Sequence, residues 1–274
     1  MMRLITLLLA ITGCVLAWLW LTPITPAPPT TTQNVPNTAT RPENGLEKMV
    51  CHGPVRVAAL VDKTGSANQN RTPSLVPADF APLYDLLKLC GGELAVGTFT
   101  SHSNRPLLRL RLEGRVALPA PTDPRMNPLE YDDRHAEELK LRARAEGLNR
   151  ERDGRAAEAI AAFDAALGEM LSEPASAPCS DIAGGIRRAA LFENEPATSW
   201  GDTPPLNYLA SVGDMEHNCG SPTLAPMPET RILLINGTPG DGILAGHNIT
   251  RLESFDAAVN LIATEALERR KEQQ

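Results

Sequence analysis

The chain of 274 residues is long enough for one or two domains, and its 42% content of apolar residues is typical of a globular protein. The formal net charge of −7 at pH 7 argues against a general nucleic-acid binder, because such proteins concentrate Lys and Arg against the phosphates. None of the five cysteines forms a CxxC pair or a Cys/His cluster, which argues against a zinc site.

An uncharged apolar segment opens the chain. Residues 4–21 carry no charge, and this length is at the short end of what is needed to span a bilayer. Arg3 precedes the segment and no Lys or Arg follows until Arg41, so the positive-inside rule places the N-terminus in the cytoplasm. We therefore predict a single-pass anchor within residues 1–21, with the folded body outside the cytoplasmic membrane, in a periplasmic or extracellular location.

Two alternatives to the anchor exist. A cleaved signal peptide would end at small residues, and the sequence has no convincing A-x-A site. Ile11-Thr12-Gly13-Cys14 resembles a bacterial lipoprotein box, in which Cys14 would be acylated. The uncleaved anchor and the lipoprotein both hold the body at a membrane. Residues 22–49 are rich in Pro and Thr and poor in large apolar side chains, which predicts an extended linker. The folded domain is then predicted over residues 50–274.

The first strand of this domain is followed by a cluster of oxygen-bearing side chains. Residues 55–61 form a short, β-branched apolar run, typical of a buried strand. Asp62, Thr64 and Ser66 come next, so a carboxylate and two hydroxyls lie where the strand leaves the sheet. In open α/β sheets this carboxyl edge is where ligands bind.

The next three elements predict a helix and a hairpin. Residues 81–90 have helical spacing of leucines, and Gly91-Gly92 ends the helix. Residues 93–100 form a second strand. Residues 107–112 alternate apolar and Arg side chains, which indicates a half-exposed edge strand antiparallel to the second.

A long charged segment follows. Residues 130–172 predict helix, and Asp153-Gly154 is predicted to break it into a helix pair that covers the sheet. Gly154, Ala159 and Ala166 also match the small-residue spacing of a single tetratricopeptide unit, although one copy cannot stack into a solenoid.

The last third of the chain begins with a helix start, for which Ser180 or Asp181 is a suitable N-cap. Residues 195–228 are rich in proline, and we predict one short helix there, near residues 206–215. Residues 231–235 predict a fourth strand that ends in Asn236-Gly237. Residues 252–270 predict a closing amphipathic helix.

The four cysteines of the body permit three disulfide connectivities. In a parallel α/β unit, the start of the first strand and the end of the first helix lie at the same edge of the sheet. We therefore predict a Cys51–Cys90 disulfide. Cys179 and Cys219 are the remaining pair.

Three loops at the predicted carboxyl edge carry polar residues in a family-like order. They are Asp62-x-Thr64-x-Ser66 after the first strand, Ser180-Asp181-Ile182 at a helix start, and Asn236-Gly237 after the fourth strand. This set resembles the von Willebrand factor A (vWA) family, in which such loops form a metal-ion-dependent adhesion site (MIDAS). The resemblance implies an open, mostly parallel α/β sheet with helices on both faces. It also implies Mg²⁺, a hard cation that oxygen ligands suit.

On the family pattern, the metal ligands are Asp62, Thr64, Ser66, Ser180 and Asn236. Ser180 replaces a threonine and keeps its hydroxyl, whereas Asn236 replaces an aspartate and removes one charge. We therefore predict a degenerate MIDAS, with Asp181 and Asp241 as alternative carboxylates. The family's last two strands have no counterpart among the predicted elements, so the fold is predicted to be truncated at its C-terminus.

The predicted anchor and linker, the adhesion-type motif and the lack of a complete catalytic set together predict a membrane-tethered interaction or adhesion module outside the cytoplasm, and not an enzyme. A protein partner would supply a carboxylate to the bound cation. No residue is assigned a catalytic role. The simpler interpretation is that Asp62, Thr64 and Ser66 only cap turns, which their side chains do well.

An enzymatic alternative starts from the same loop. Asp62-Lys63-Thr64-Gly65-Ser66 also resembles the phospho-aspartate loop of P-type ATPases within the haloacid dehalogenase fold. In that case Asp62 would be a nucleophile in a phosphohydrolase. Gly240-Asp241-Gly242 faintly resembles that family's later metal-binding loop, but it lies several residues past the predicted strand.

Overall fold

The computed structural model describes residues 49–69, 72–196, 203–221, 223–224, 226–237, 243–244 and 247–269. The predicted anchor with Cys14, the linker up to residue 48, and Asp241 lie outside the described residues. Among the helices in the described ranges, none is both long enough and apolar enough to cross a bilayer.

A six-stranded sheet forms the centre of the fold. Its strands are β2 (Val55–Asp62), β3 (Gly92–Phe99), β4 (Leu108–Leu112), β5 (Leu206–Val212), β6 (Thr230–Ile235) and β7 (Ile249–Leu252). They lie in the order β4-β3-β2-β5-β6-β7, and every neighbouring pair is parallel except β3 and β4. Two short strands, β1 (Met49–Cys51) and β8 (Leu267–Arg269), form a separate antiparallel pair.

Helices cover both faces of this sheet. They are α1 (Gly65–Gln69), α2 (Ala81–Cys90), α3 (Pro128–Ser172), α4 (Ile182–Glu193) and α5 (Phe255–Ala266). Val57 and Val61 of β2 share a core with α2, α5 and the C-terminal part of α3. Ala58 and Leu60 share the opposite core with α4. Because side chains alternate along a strand, β2 is buried on both faces.

The first half of this architecture confirms the sequence prediction. β2, α2, β3 and the antiparallel edge strand β4 lie where the pattern places them. The six-stranded, mostly parallel sheet with helices on both faces is consistent with a vWA-like fold. Both predicted disulfides are present, with Cα atoms 5.4 Å apart for Cys51–Cys90 and 5.7 Å apart for Cys179–Cys219.

The C-terminal third corrects the prediction. Residues 206–212 form strand β5 beside β2, not a short helix, and β7 adds a further strand, so both strands that the sequence prediction lacked are present. Leu206, Leu209 and Ala210 have helix-like spacing, but a strand buried on two faces loses its alternation and cannot be told from a buried helix by spacing. The closing helix also ends earlier, at Ala266, where the chain enters β8.

The predicted break of the long helix into a helix pair is wrong. α3 runs through Asp153-Gly154 without a break over 45 residues. A single glycine costs a helix about 1 kcal/mol. An ion pair between Arg115 and Asp153 (2.7 Å) and the buried side chains of Ala156 and Phe163 outweigh this cost.

Candidate functional site

The loop after β2 folds into a compact oxygen cluster. Asp62 is only 3% exposed, and its Oδ1 accepts a hydrogen bond from the Thr64 backbone N–H at 2.9 Å. The Thr64 and Ser66 hydroxyl oxygens lie 3.0 Å apart. The three side chains that the sequence singles out therefore lie together at the carboxyl edge.

A second buried carboxylate, Asp214, meets this loop from the end of β5. Because β2 and β5 are parallel with Val61 opposite Val212, Gly213 lies beside Asp62. A Cβ on Gly213 would come within 2.6 Å of the Asp62 Cβ, so only glycine permits this approach. Asp214 is 8% exposed. Burial raises the pKa of Asp62, and the negative charge of Asp214 raises it further against the hydrogen bonds from Thr64.

Asp214 is not predicted from the sequence, because the spacing of residues 206–215 indicates a helix. A carboxylate directly after a parallel strand would have indicated Asp214, since the C-terminal ends of parallel strands lie together at the carboxyl edge.

Ser180 lies in the next loop, which is attached to the first. The Ala177 N–H donates to the Lys63 carbonyl at 3.2 Å, and the Gly65 N–H donates to the Ala177 carbonyl at 2.9 Å. Ser180 is fully buried, and its hydroxyl oxygen has no hydrogen-bond partner among the described residues. The Asp62 Oδ2 is also buried without a hydrogen-bond partner among the described residues. Two buried oxygens at one edge thus receive no hydrogen bond from the described part of the chain.

The other two candidates occupy different positions. Asp181 is the N-cap of α4, where it accepts hydrogen bonds from the Gly184 N–H at 2.9 Å and the Ser103 N–H at 3.3 Å. Asn236 is exposed at the end of β6, in a left-handed conformation with φ of 64°, and β5 separates β6 from β2. It lines an open cavity of about 510 Å³ together with Asp214 and Glu216. The structure therefore brings Asp214 to Asp62 and places Asn236 on the far side of the Gly213 loop.

The donor set fits a hard divalent cation. It consists of two carboxylates and three hydroxyls, from Asp62, Asp214, Thr64, Ser66 and Ser180, and Mg²⁺ prefers such oxygens. The described residues contain no group of three or more His, Cys, Asp or Glu side chains arranged to hold a metal. Two carboxylates balance the charge of a divalent cation, and the three hydroxyls would add uncharged oxygen ligands.

Two neighbours fix the loops that carry these oxygens. The Lys63 ammonium donates to the Leu171 carbonyl at the end of α3, at 2.5 Å. The Cys179–Cys219 disulfide joins the Ser180 loop to the loop after Asp214. Asn218 reinforces this junction, since its Oδ1 accepts from the Ser180 N–H at 2.6 Å and its N–H donates to the Ser180 carbonyl at 3.2 Å.

A different buried polar cluster lies at the opposite, amino edge of the sheet. Arg56 of β2 is 3% exposed and donates to the carbonyls of Glu193 and Glu195 at 2.6 and 2.9 Å. The Glu193 carboxylate accepts from the Thr230 hydroxyl. Burial raises the pKa of Glu193 to about 7, although that hydrogen bond and the Arg56 charge lower it. No local sequence pattern indicates this cluster, because its members are far apart along the chain.

Comparison with solved structures finds similarities at low identity. The proximal thread matrix protein 1 of the mussel byssus is 10% identical with a TM-score of 0.35, over 80% of this chain and 48% of that chain. Its form with a zinc-occupied MIDAS motif is 11% identical with a TM-score of 0.35, over the same shares. The pilus adhesin SpaC of Lactobacillus rhamnosus GG, in its open conformation, is 11% identical with a TM-score of 0.41, over 78% of this chain and 30% of that chain.

This chain spans about half the length of the matrix protein and less than a third of the adhesin. No protein family and no curated protein matches the chain.

Proposed function

We propose that this chain is a protein-interaction module of the adhesion type, which binds its partner through a divalent cation at the carboxyl edge. The observation that carries the proposal is the pair of buried carboxylates, Asp62 and Asp214, at the same edge of the sheet as a buried Ser180 hydroxyl that receives no hydrogen bond from the described residues. Two like charges buried side by side are costly unless a proton or a cation separates them.

Each residue has a distinct part in this proposal. Asp62 and Asp214 neutralise a divalent cation, and the hydroxyls of Thr64, Ser66 and Ser180 supply uncharged oxygens around it. Because Mg²⁺ takes six oxygen ligands, one position is left for a carboxylate of a protein partner. Asp214 takes the position that the sequence assigned to Asn236. Tethering to a membrane through residues 1–21 is part of the same proposal.

Calorimetry with Mg²⁺ tests the cation. The parent chain should bind Mg²⁺, whereas Asp62→Ala and Asp214→Ala should not. At a free Mg²⁺ concentration of 100 times the dissociation constant, binding should raise the free energy of unfolding by about 2.7 kcal/mol, and this increase should vanish in Asp62→Ala.

The matched control is Asn236→Asp, which adds a carboxylate on the far side of the Gly213 loop and should leave the affinity within a factor of about three. No binding by the parent chain at millimolar Mg²⁺ would reject the cation. A large gain in Asn236→Asp would instead restore Asn236 as the missing ligand.

Crosslinking of the full chain in its native membrane tests the partner. A captured protein should be lost when Mg²⁺ is chelated and in Asp62→Ala, while the folded state, followed by circular dichroism, is retained. The enzymatic alternative predicts hydrolysis of small phosphate esters that depends on Mg²⁺ and disappears in Asp62→Asn. Such turnover would replace the interaction function with a phosphohydrolase.

A further inference from the structure

One half of α3 extends past the sheet as an arm. At Arg152 the helix is level with the amino edge, since this side chain donates to the carbonyl of Gly114, which packs on Gly91 before β3. Residues 128–151 lie beyond this level and span about 36 Å. Within the described residues, the hydrogen bonds from this half to other parts of the chain go to residues 115–127. We call residues 115–151 the arm.

The arm has a covered face and an exposed face. Residues 115–127 lie along one side, where the Glu138 carboxylate accepts from the Thr122 N–H at 2.8 Å and Asn149 exchanges two hydrogen bonds with the Val116 backbone. At 100° per residue, a stripe of apolar and small side chains falls on the opposite side. It consists of Leu129, Ala136, Leu139, Ala143 and Gly147, and it continues to Gly154. Leu129 is 84% exposed and Leu139 is 50% exposed.

The two glycines of this stripe have no steric cause within the described fold. A Cβ on Gly154 would meet nothing within 4 Å, and one on Gly147 would meet only the end of the Arg150 side chain at 4.0 Å. Glycine disfavours a helix relative to alanine, so its use at two helix-interior positions that are not buried calls for another reason. The close approach of a second backbone is such a reason.

The charges of α3 are divided along its length. Residues 128–138 hold five carboxylates and one arginine, whereas residues 139–155 hold six basic and three acidic side chains. Two such helices attract each other when they run antiparallel, and their acidic ends repel each other when they run parallel. The charge pattern therefore selects a second copy in antiparallel orientation.

We propose that the arm is a self-association surface, on which a second copy of this chain packs antiparallel about a two-fold axis. The register that places Leu129 over Gly154 also sets Ala136 opposite Gly147. The same register brings Asp132 within one residue, about 1.5 Å along the axis, of the position opposite Arg150. In a two-fold contact each of these pairs occurs twice. The surface lies at the opposite end of the molecule from the Asp62 cluster and does not rest on the cation proposal.

A crosslink tests the register. In the full chain, with Cys14 replaced by serine, Leu129→Cys and Gly154→Cys are combined. Within one copy these positions are about 37 Å apart on a straight helix and cannot form a disulfide. Mild oxidation should therefore yield a covalent dimer on a non-reducing gel. The matched control combines Leu129→Cys with Gly147→Cys, which lies on the same face but is displaced by seven residues, and should remain a monomer.

Charge exchange tests the orientation without adding cysteine. Asp132→Lys and Arg150→Glu should each weaken self-association in sedimentation by about tenfold, because each change puts two like-charged pairs in the contact. The double variant restores opposite charges and should regain most of the affinity.

A glycine substitution separates association from folding. Gly154→Leu favours the helix and should leave the melting temperature unchanged or raised, yet it should abolish the dimer. All arm variants should bind Mg²⁺ like the parent chain. A failure of the self-association proposal can therefore be told apart from a failure of the cation proposal. A chain that is monomeric at every concentration tested would overturn the proposal. So would equal crosslinking in the register control, or a covalent dimer from Leu129→Cys alone.

Discussion

The two edges of the sheet bury carboxylates in opposite ways. At the amino edge, the charge acting against the raised pKa of Glu193 is the Arg56 guanidinium, and Arg109 is paired with Glu195. At the carboxyl edge, the neighbouring charge acting on Asp62 is a second carboxylate, Asp214. The chain therefore supplies its own cations to one edge. Because of this difference, we assign a structural role to the amino-edge cluster and propose ligand binding at the carboxyl edge.

The largest expected effect tests the structural role of the amino edge. Arg56→Met should lower the free energy of unfolding by about 3 to 5 kcal/mol, because it leaves buried acidic groups and the carbonyls of Glu193 and Glu195 without their donor. Urea titration measures this loss. The control is Arg155→Met on the exposed side of α3, where less than 1 kcal/mol is expected. A loss at Arg56 as small as at Arg155 would remove the contrast between the edges.

The two disulfides offer a matched comparison, because their sequence separations are 39 and 40 residues. In the loop-entropy model, removal of either pair by serine should lower the free energy of unfolding by about 4 kcal/mol. Only the loss of Cys179–Cys219 should weaken Mg²⁺ binding, because that pair joins the loops that carry Ser180 and Asp214. Calorimetry on both double variants decides the point. Equal affinities would show that the cation site does not depend on this junction.

A smaller effect concerns pH. The pKa of Glu193 is about 7 in the folded chain, and its ordinary value is 4.5. The stability that this group contributes is thus fully present below about pH 4.5 and is lost as pH rises through about 7. Glu193→Gln should flatten this decline and raise the free energy of unfolding at pH 8 by about 2 kcal/mol.

Glu195 should show the opposite dependence of stability on pH, because its pKa is lowered where that of Glu193 is raised. Its hydrogen bond to Arg109 lowers its pKa, so the stability it contributes is present above the ordinary value and is lost as pH falls. Glu195→Gln should therefore reduce stability at pH 7 while Glu193→Gln does not. Urea titrations across pH 4 to 9 compare the two, and parallel curves for both variants would contradict the assignment of Glu193.

The sequence predicts those parts of the fold in which local pattern and tertiary position agree. β2, α2 and the β3–β4 hairpin have clear boundaries, and Cys51–Cys90 follows from their arrangement. β5 was missed because a strand covered on both sides carries no alternation to read. Asp214 was missed with it, since its place beside Asp62 depends on which strand adjoins β2. The cluster around Arg56 depends on contacts between residues more than 130 positions apart, which no local pattern encodes.

The position of β2 also determines how the molecule would carry a mechanical load. If the proposed partner is held at Asp62, it would pull on one end of this strand, and the chain that enters through Cys51 would pull on the other. The strand is bonded along its length to β3 and β5, so tension runs parallel to the strand axis and loads these hydrogen bonds together, in shear. The Cys51–Cys90 disulfide shares that tension with α2. Forced unfolding depends on the height of the unfolding barrier, and this loading direction opposes rupture more effectively than peeling the sheet from an edge.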